Sequence, residues 1–145
     1  MRQDALPPAH HRHWPRGVPH ALRTPQVTLT HYLEVAAQRF PEKPAIVFCG
    51  QTIGYAELLR QVNTLAAHLQ HTLGVARGDR VLLMSQNGPQ FVVAYHAALR
   101  AGAAVVPVNP MSTTPELAFY VKDSGACVAL VACDLLPQVL PLLRQ

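Results

Sequence analysis

Residues 80–132 read RVLLMSQNGPQFVVAYHAALRAGAAVVPVNPMSTTPELAFYVKDSGACVALVA. Three runs in it, RVLLMS at 80–85, AAVVPV at 103–108 and CVALVA at 127–132, have the length and β-branched content of strands. They are almost continuously apolar, as strands are when helices cover both faces of their sheet. Two segments of helical length lie between them. The first, 89–101, carries Phe91, Val92, Tyr95, Ala98 and Leu99 as its apolar stripe, opens at Asn87 and Pro89, and stops at Gly102. The second, 115–123, opens with Thr114 as cap, Pro115 and Glu116. Strand–helix alternation of this kind predicts an α/β fold of three layers. A largely parallel sheet carries right-handed crossover helices.

Toward the N-terminus, Leu58, Val62, Leu65, Ala66, Leu69 and Leu73 form one stripe of a helix over 55–73, with Gly54 as its cap and Gly74 as its stop. Residues 45–49 and 51–53, separated by Gly50, read as a short hairpin. Leu29, Leu33, Ala36, Ala37 and Phe40 predict a short amphipathic helix with Thr28 or Thr30 as its N-cap and Pro41 as its stop. Residues 1–27 hold five of the thirteen prolines and four of the eight histidines without a helical or strand period, and are expected to be a disordered leader. A weak helix is expected from Leu135 onward.

A chain of 145 residues makes one domain or a piece of a larger one, and 50% hydrophobic residues against 14% charged exclude general disorder. The formal charge is +4, of which Arg2, Arg12, Arg16 and Arg23 against Asp4 put +3 in the leader. The remainder lacks the basic cluster that a nucleic-acid partner needs, so none is expected. Cys49, Cys127 and Cys133 sit in apolar runs with no disulfide or zinc spacing and read as inert core thiols in a cytoplasmic setting. No run approaches a membrane span. The arginines of the leader suit a transit peptide, but its prolines break the helix such a peptide requires.

Searched for chemistry, the chain offers no assigned catalytic, cofactor-binding or metal residue. The eight glycines never come closer than four apart, so neither a P-loop nor a dinucleotide fingerprint forms. Lys43 and Lys122, the two lysines, stand away from any Ser/Thr-rich loop. His10, His11 and His13 lie in the leader without fixed geometry. His68 and His71 fall on the outer face of their helix, and His96 flanks an apolar stripe. No nucleophile elbow surrounds Ser85, Ser112 or Ser124.

Six short motifs nevertheless occur in a telling order: Phe40-Pro-Glu-Lys-Pro-Ala45, Tyr55-Ala-Glu-Leu58, Gly74-Val-Ala-Arg-Gly-Asp-Arg-Val81, Asn87-Gly-Pro-Gln-Phe91, Gly102-Ala103 leading to Val106-Pro-Val-Asn-Pro110, and Glu116-Leu117 ahead of Asp123-Ser-Gly-Ala126. In this order they resemble the N-terminal part of the AMP-forming acyl-CoA synthetases, the adenylate-forming enzymes, and most of all their fatty-acid–CoA ligases. Gly54 departs from the Thr or Ser more usual there, at a cost of a few tenths of a kcal/mol. The resemblance implies a parent enzyme that uses ATP, Mg and coenzyme A. Its carboxylic acid substrate, a fatty acid, is converted to an acyl-adenylate and then to a thioester.

It also implies that 28–145 is a partial AMP-binding domain truncated before the phosphate-binding loop. The chain alone is then expected to be inactive, without cofactors of its own, and prone to self-association through exposed apolar surface. The alternatives are a non-catalytic folding or association module, a truncated gene product, and an unrelated doubly wound binding domain.

Overall fold

The computed structural model describes residues 9–21 and 24–142. The leader expected at 1–27 therefore lies partly outside the described residues, at 1–8 and 22–23. Within it, Ala9–His13 forms a 3-10 turn, and the Trp14 indole N–H donates to the Val18 carbonyl at 3.1 Å.

The chain then runs α1 (Leu29–Arg39), β1 (Pro44–Phe48), β2 (Gln51–Gly54), α2 (Tyr55–His71), β3 (Arg80–Met84), α3 (Pro89–Arg100), β4 (Ala104–Val108), α4 (Thr114–Ser124) and β5 (Val128–Val131). β1 and β2 form an antiparallel hairpin, with Phe48 opposite Gln51. Its two-residue turn is Cys49 and Gly50, both at positive φ, the geometry a tight hairpin requires. The main sheet has the order β4-β3-β5, all parallel, so the connection through α4 crosses back over β3.

β3 is the centre of this sheet, and its pleat feeds two cores. Val81 packs with Val62, Leu69 and Ala98 beneath α2 and α3, while Leu82 and Met84 pack with Leu117 of α4 and with Leu135 and Val139. Burying side chains such as Leu82 and Leu117 stabilises by about 1.5–3 kcal/mol each. The layers are thus helix, sheet and helix, as the alternation predicts. The flanking strands differ from β3, since β5 is only half-buried along its length and β4 is half-buried to exposed over most of its own. Continuous apolarity overstated their burial because each has a neighbour on one side only.

Local details shift for physical reasons. Gly88, not Asn87, is the N-cap of α3. Thr113, not Thr114, caps α4, because its partner Glu116 must sit three residues on: Glu116 Oε2 accepts from the Thr113 N–H at 2.7 Å and from its hydroxyl at 2.9 Å. α2 ends at His71, so Leu73 leaves the apolar stripe and is exposed. On α3 the buried face is Ala94, Ala97 and Ala98, because α2 packs closely there and only small side chains fit, whereas Phe91, Tyr95 and Leu99 are half-buried. After β5 a 3-10 turn, a four-residue helix (α5, Leu136–Val139) and another 3-10 turn replace the expected helix, with Pro137 in the first turn of α5 and Pro141 in the 3-10 turn that follows it.

The motif residues at the amino end of the sheet are structural. The Gly78 N–H donates to the Gly102 carbonyl at 2.9 Å, and Asp79 Oδ2 accepts from the Ala76 N–H at 2.8 Å. Gly102 has φ +85 and lies so close to Arg77 that a Cβ would sit 3.3 Å from its Cα. Arg80 reaches across from β3 to the end of α4, where Nε donates to the Ser124 carbonyl and Nη2 to the Gly125 carbonyl, both at 2.8 Å.

Candidate functional site

The chain leaves β3 toward α3 on one face of the sheet, and leaves β5 toward α5 on the other. The loops after these neighbouring strands therefore diverge, opening a crevice outside their carboxyl ends. In open parallel sheets that is where ligands bind. A cleft of about 440 Å³ occupies the position. Its floor is Leu83, Ala94 and Leu130, one wall is Ser85-Gln86-Asn87-Gly88 after β3, the other is Ala132-Cys133-Asp134 after β5, and Phe48 of the hairpin leans over it.

Gly88 lies beneath the Phe48 ring in the first wall: a Cβ on it would make ordinary van der Waals contact, 3.4 Å from Gln90 Oε1 and 3.8 Å from the ring. The first turn of α3 has no side-chain cap and no acidic residue, and Pro89 opens it. Among the described residues, Asp134 is the one charged member of the lining, and no lysine, arginine or histidine joins it.

That donor set does not fit Mg-ATP. A triphosphate requires clustered backbone donors with a cation, and its metal requires hard oxygen ligands. Lys43 is instead held over the Phe40 ring, 5.4 Å from its centroid, at the base of the hairpin. Most of the described carboxylates with a partner are committed elsewhere: Glu57 to Arg60 and Gln61, Glu34 to Arg100, Glu116 to its cap. The Arg60 guanidinium, and then the Gln61 amide, hold the Glu57 carboxyl down at about 2. Among the described residues, no three His, Cys, Asp or Glu side chains gather into a possible metal site.

The other residues the sequence singled out are dispersed. His68 and His71 are exposed on α2, as expected. His96 faces a separate groove between α1, the hairpin and α3, lined by Tyr32, Ile46 and Tyr55. Its Nδ1 is buried without a hydrogen-bond partner, and desolvation lowers its pKa, so the ring is neutral near pH 7.

The three cysteines correct the sequence reading, since all are exposed. Cys49 is in the hairpin turn, Cys127 precedes β5 and Cys133 follows it, so each stands at the end of an apolar run rather than inside one. Cys133 is thereby a cleft residue that sequence reasoning placed in the core. Its position immediately after a parallel strand was the available signal.

Comparison with known proteins agrees with this geometry. The family model described as AMP-binding enzyme matches residues 33–144. A long-chain-fatty-acid–CoA ligase of Bacillus subtilis is 40% identical over 123 residues, covering 85% of this chain and 22% of the ligase. A salicyl-AMP ligase / salicyl-S-ArCP synthetase of Mycobacterium tuberculosis is 42% identical over 110 residues, covering 72% and 19%. The chain thus spans about a fifth of the length of these curated relatives. Among solved structures, a Mycobacterium tuberculosis fatty acyl CoA synthetase superposes with a TM-score of 0.76 at 29% identity, covering 81% of this chain and 24% of that one. The order of motifs, the parallel sheet with its switch-point cleft and a family match over most of the residues place this chain in the AMP-binding enzyme family.

Proposed function

We propose that this chain is the N-terminal segment of an ATP-dependent carboxylate–CoA ligase acting on fatty acids, and that it supplies scaffold rather than chemistry. The observation that carries the reading is the match of residues 33–144 to the family, with long-chain-fatty-acid–CoA ligases among the similar relatives. In the whole enzyme, ATP, Mg and coenzyme A convert the carboxylate to an acyl-adenylate and then to a thioester in the cytoplasm. Residues 28–145 are then part of the large domain, lying ahead of the phosphate-binding loop, and 1–27 are a leader outside it. The donor set of the cleft supports this division, because the phosphates need cations and clustered backbone donors that its lining does not supply. In this reading the cleft walls Asn87 and Asp134 abut the remainder of the large domain. Exposed apolar residues such as Val47, 69% exposed, Phe119 and Met111, 87% exposed, favour self-association of the chain alone.

The test is carboxylate-dependent pyrophosphate exchange with Mg-ATP. It is run on this chain and on its mixture with a long-chain ligase lacking the equivalent N-terminal fifth. The expected result is a blank for the chain alone and fatty-acid-dependent exchange in the mixture. Exchange or saturable Mg-ATP binding by the chain alone would overturn the scaffold reading, and exchange restricted to aryl acids would overturn the substrate class.

A further inference from the structure

We propose that the hook at 11–20, together with Val27 and Leu29, docks this chain on an anionic lipid surface. The inference goes beyond the ligase reading and does not depend on it, since these residues precede the family match, which begins at Leu33. Arg12, Arg16 and Arg23 stand in a stretch, 5–33, that holds no aspartate or glutamate. Arg12 and Arg16 are exposed, and no carboxylate among the described residues pairs with either. A segment of one sign is drawn to a surface of the other, and the phosphates and carboxylates of anionic headgroups supply that surface.

The hook gives the charge a shape. The Trp14 N–H donates to the His11 carbonyl at 3.2 Å, the Val18 N–H to the Pro15 carbonyl at 3.3 Å, and the Trp14 indole N–H to the Val18 carbonyl at 3.1 Å. Gly17, at φ +83, makes the reversal that brings Val18 back. The His20 ring then lies against His11, 4.2 Å between centroids, and against Trp14, 5.8 Å. Pro15 and Pro19 have no N–H, and the N–H groups of Trp14 and Val18 are bonded within the hook, so entering a headgroup layer strands none of these four. Apolar surface then decides between anionic partners. Trp14, Val18, Val27 and Leu29 are all exposed, Leu29 to 58%. Along a nucleic-acid backbone these side chains would stay in water. At a membrane interface the indole sits at headgroup level and the aliphatic groups leave water. Arg12, Trp14, Arg16 and Val18 alternate in sequence, which supplies the two signals, charge and apolar insertion, that interfacial binding combines.

Trp14 is the single tryptophan of the chain, so its fluorescence reports docking directly. Vesicles of phosphatidylcholine with about 30% phosphatidylserine should shift its emission to the blue, shield it from acrylamide and co-sediment the full chain. Pure phosphatidylcholine vesicles should do none of these, and about 0.5 M NaCl should release the bound chain. Arg12→Gln with Arg16→Gln should weaken binding roughly 25-fold, about fivefold for each arginine. Trp14→Ala should weaken it by co-sedimentation, whereas Met111→Ser, an exposed apolar residue outside the hook, should leave it unchanged. Equal binding to pure phosphatidylcholine, an affinity indifferent to the paired arginine substitution, or a loss on Met111→Ser would each overturn the proposal. So would a chain that binds an oligonucleotide duplex while its Trp14 emission stays unmoved by the vesicles, which would make the partner a nucleic acid.

Discussion

Arg80→Ala tests how the amino end of the sheet is held. The guanidinium makes two hydrogen bonds of 2.8 Å to the last carbonyls around α4 and a longer one, 3.3 Å, to the Gly78 carbonyl. It also places a positive charge at the negative end of the helix dipole. A charged donor makes hydrogen bonds stronger than neutral ones, but Arg80 is exposed and water replaces it at the freed carbonyls, so each bond contributes about 0.5–1 kcal/mol. The expected loss is about 1–2 kcal/mol, a fall in Tm of roughly 3–6 °C for a domain of this size.

Gly125 supplies the control. It has φ +58, and a Cβ there would lie 2.9 Å from Arg80 Nη2. Gly125→Ala therefore costs the left-handed strain of about 1–2 kcal/mol and displaces the guanidinium as well. In the Arg80→Ala background the second cost is absent. A double-mutant cycle by urea denaturation should show the two substitutions coupled by about 0.5–1 kcal/mol, less destabilising together than their sum. Additivity within about 0.3 kcal/mol would refute the clamp.

Two further outcomes follow from the caps and from the buried ring. Thr113→Ala opens the capping box of α4 and should cost about 1 kcal/mol by chemical denaturation. The Thr113 backbone N–H, and then its hydroxyl, hold the Glu116 carboxyl below its usual range, so this contribution is present above the ordinary pKa of 4.5 and fades as pH falls through the lowered value. The Thr113→Ala penalty should shrink in acid. His96 has a folded pKa lowered by burial below 6.5, so the unfolded chain binds a proton first. The stability this linkage contributes is complete above pH 6.5 and is lost as pH falls toward the lowered value. His96→Leu also removes the unpartnered Nδ1, and should make the stability difference between about pH 7.5 and about pH 5.5 smaller than in the wild type. An unchanged difference would show that the imidazole is not desolvated.

What the sequence determined by itself was the order and kind of the elements. Three apolar runs, Gly102 and the Pro115-Glu116 start are local signals, and local signals survive without knowledge of neighbours. The motif order likewise led to the family, because Gly78, Asp79 and Gly102 answer to backbone geometry that any member of the fold must reproduce. The cleft was only partly legible. Asn87 and the helix it precedes were noticed, but Cys133 and Asp134 stand almost fifty residues away, and only the return of β5 to the far side of β3 brings them opposite.

Burial was decided by tertiary structure for the same reason. Val81 and Val128 are both strand valines in apolar runs, yet the first is fully buried between two helical layers and the second, on an edge strand, is not. The cysteines misread as core thiols and Leu73 misread as part of a stripe share this cause. A side chain's neighbours depend on which strand lies beside it and on where a helix stops, and those contacts are non-local, set when the sheet assembles rather than by the residues adjoining it in the chain.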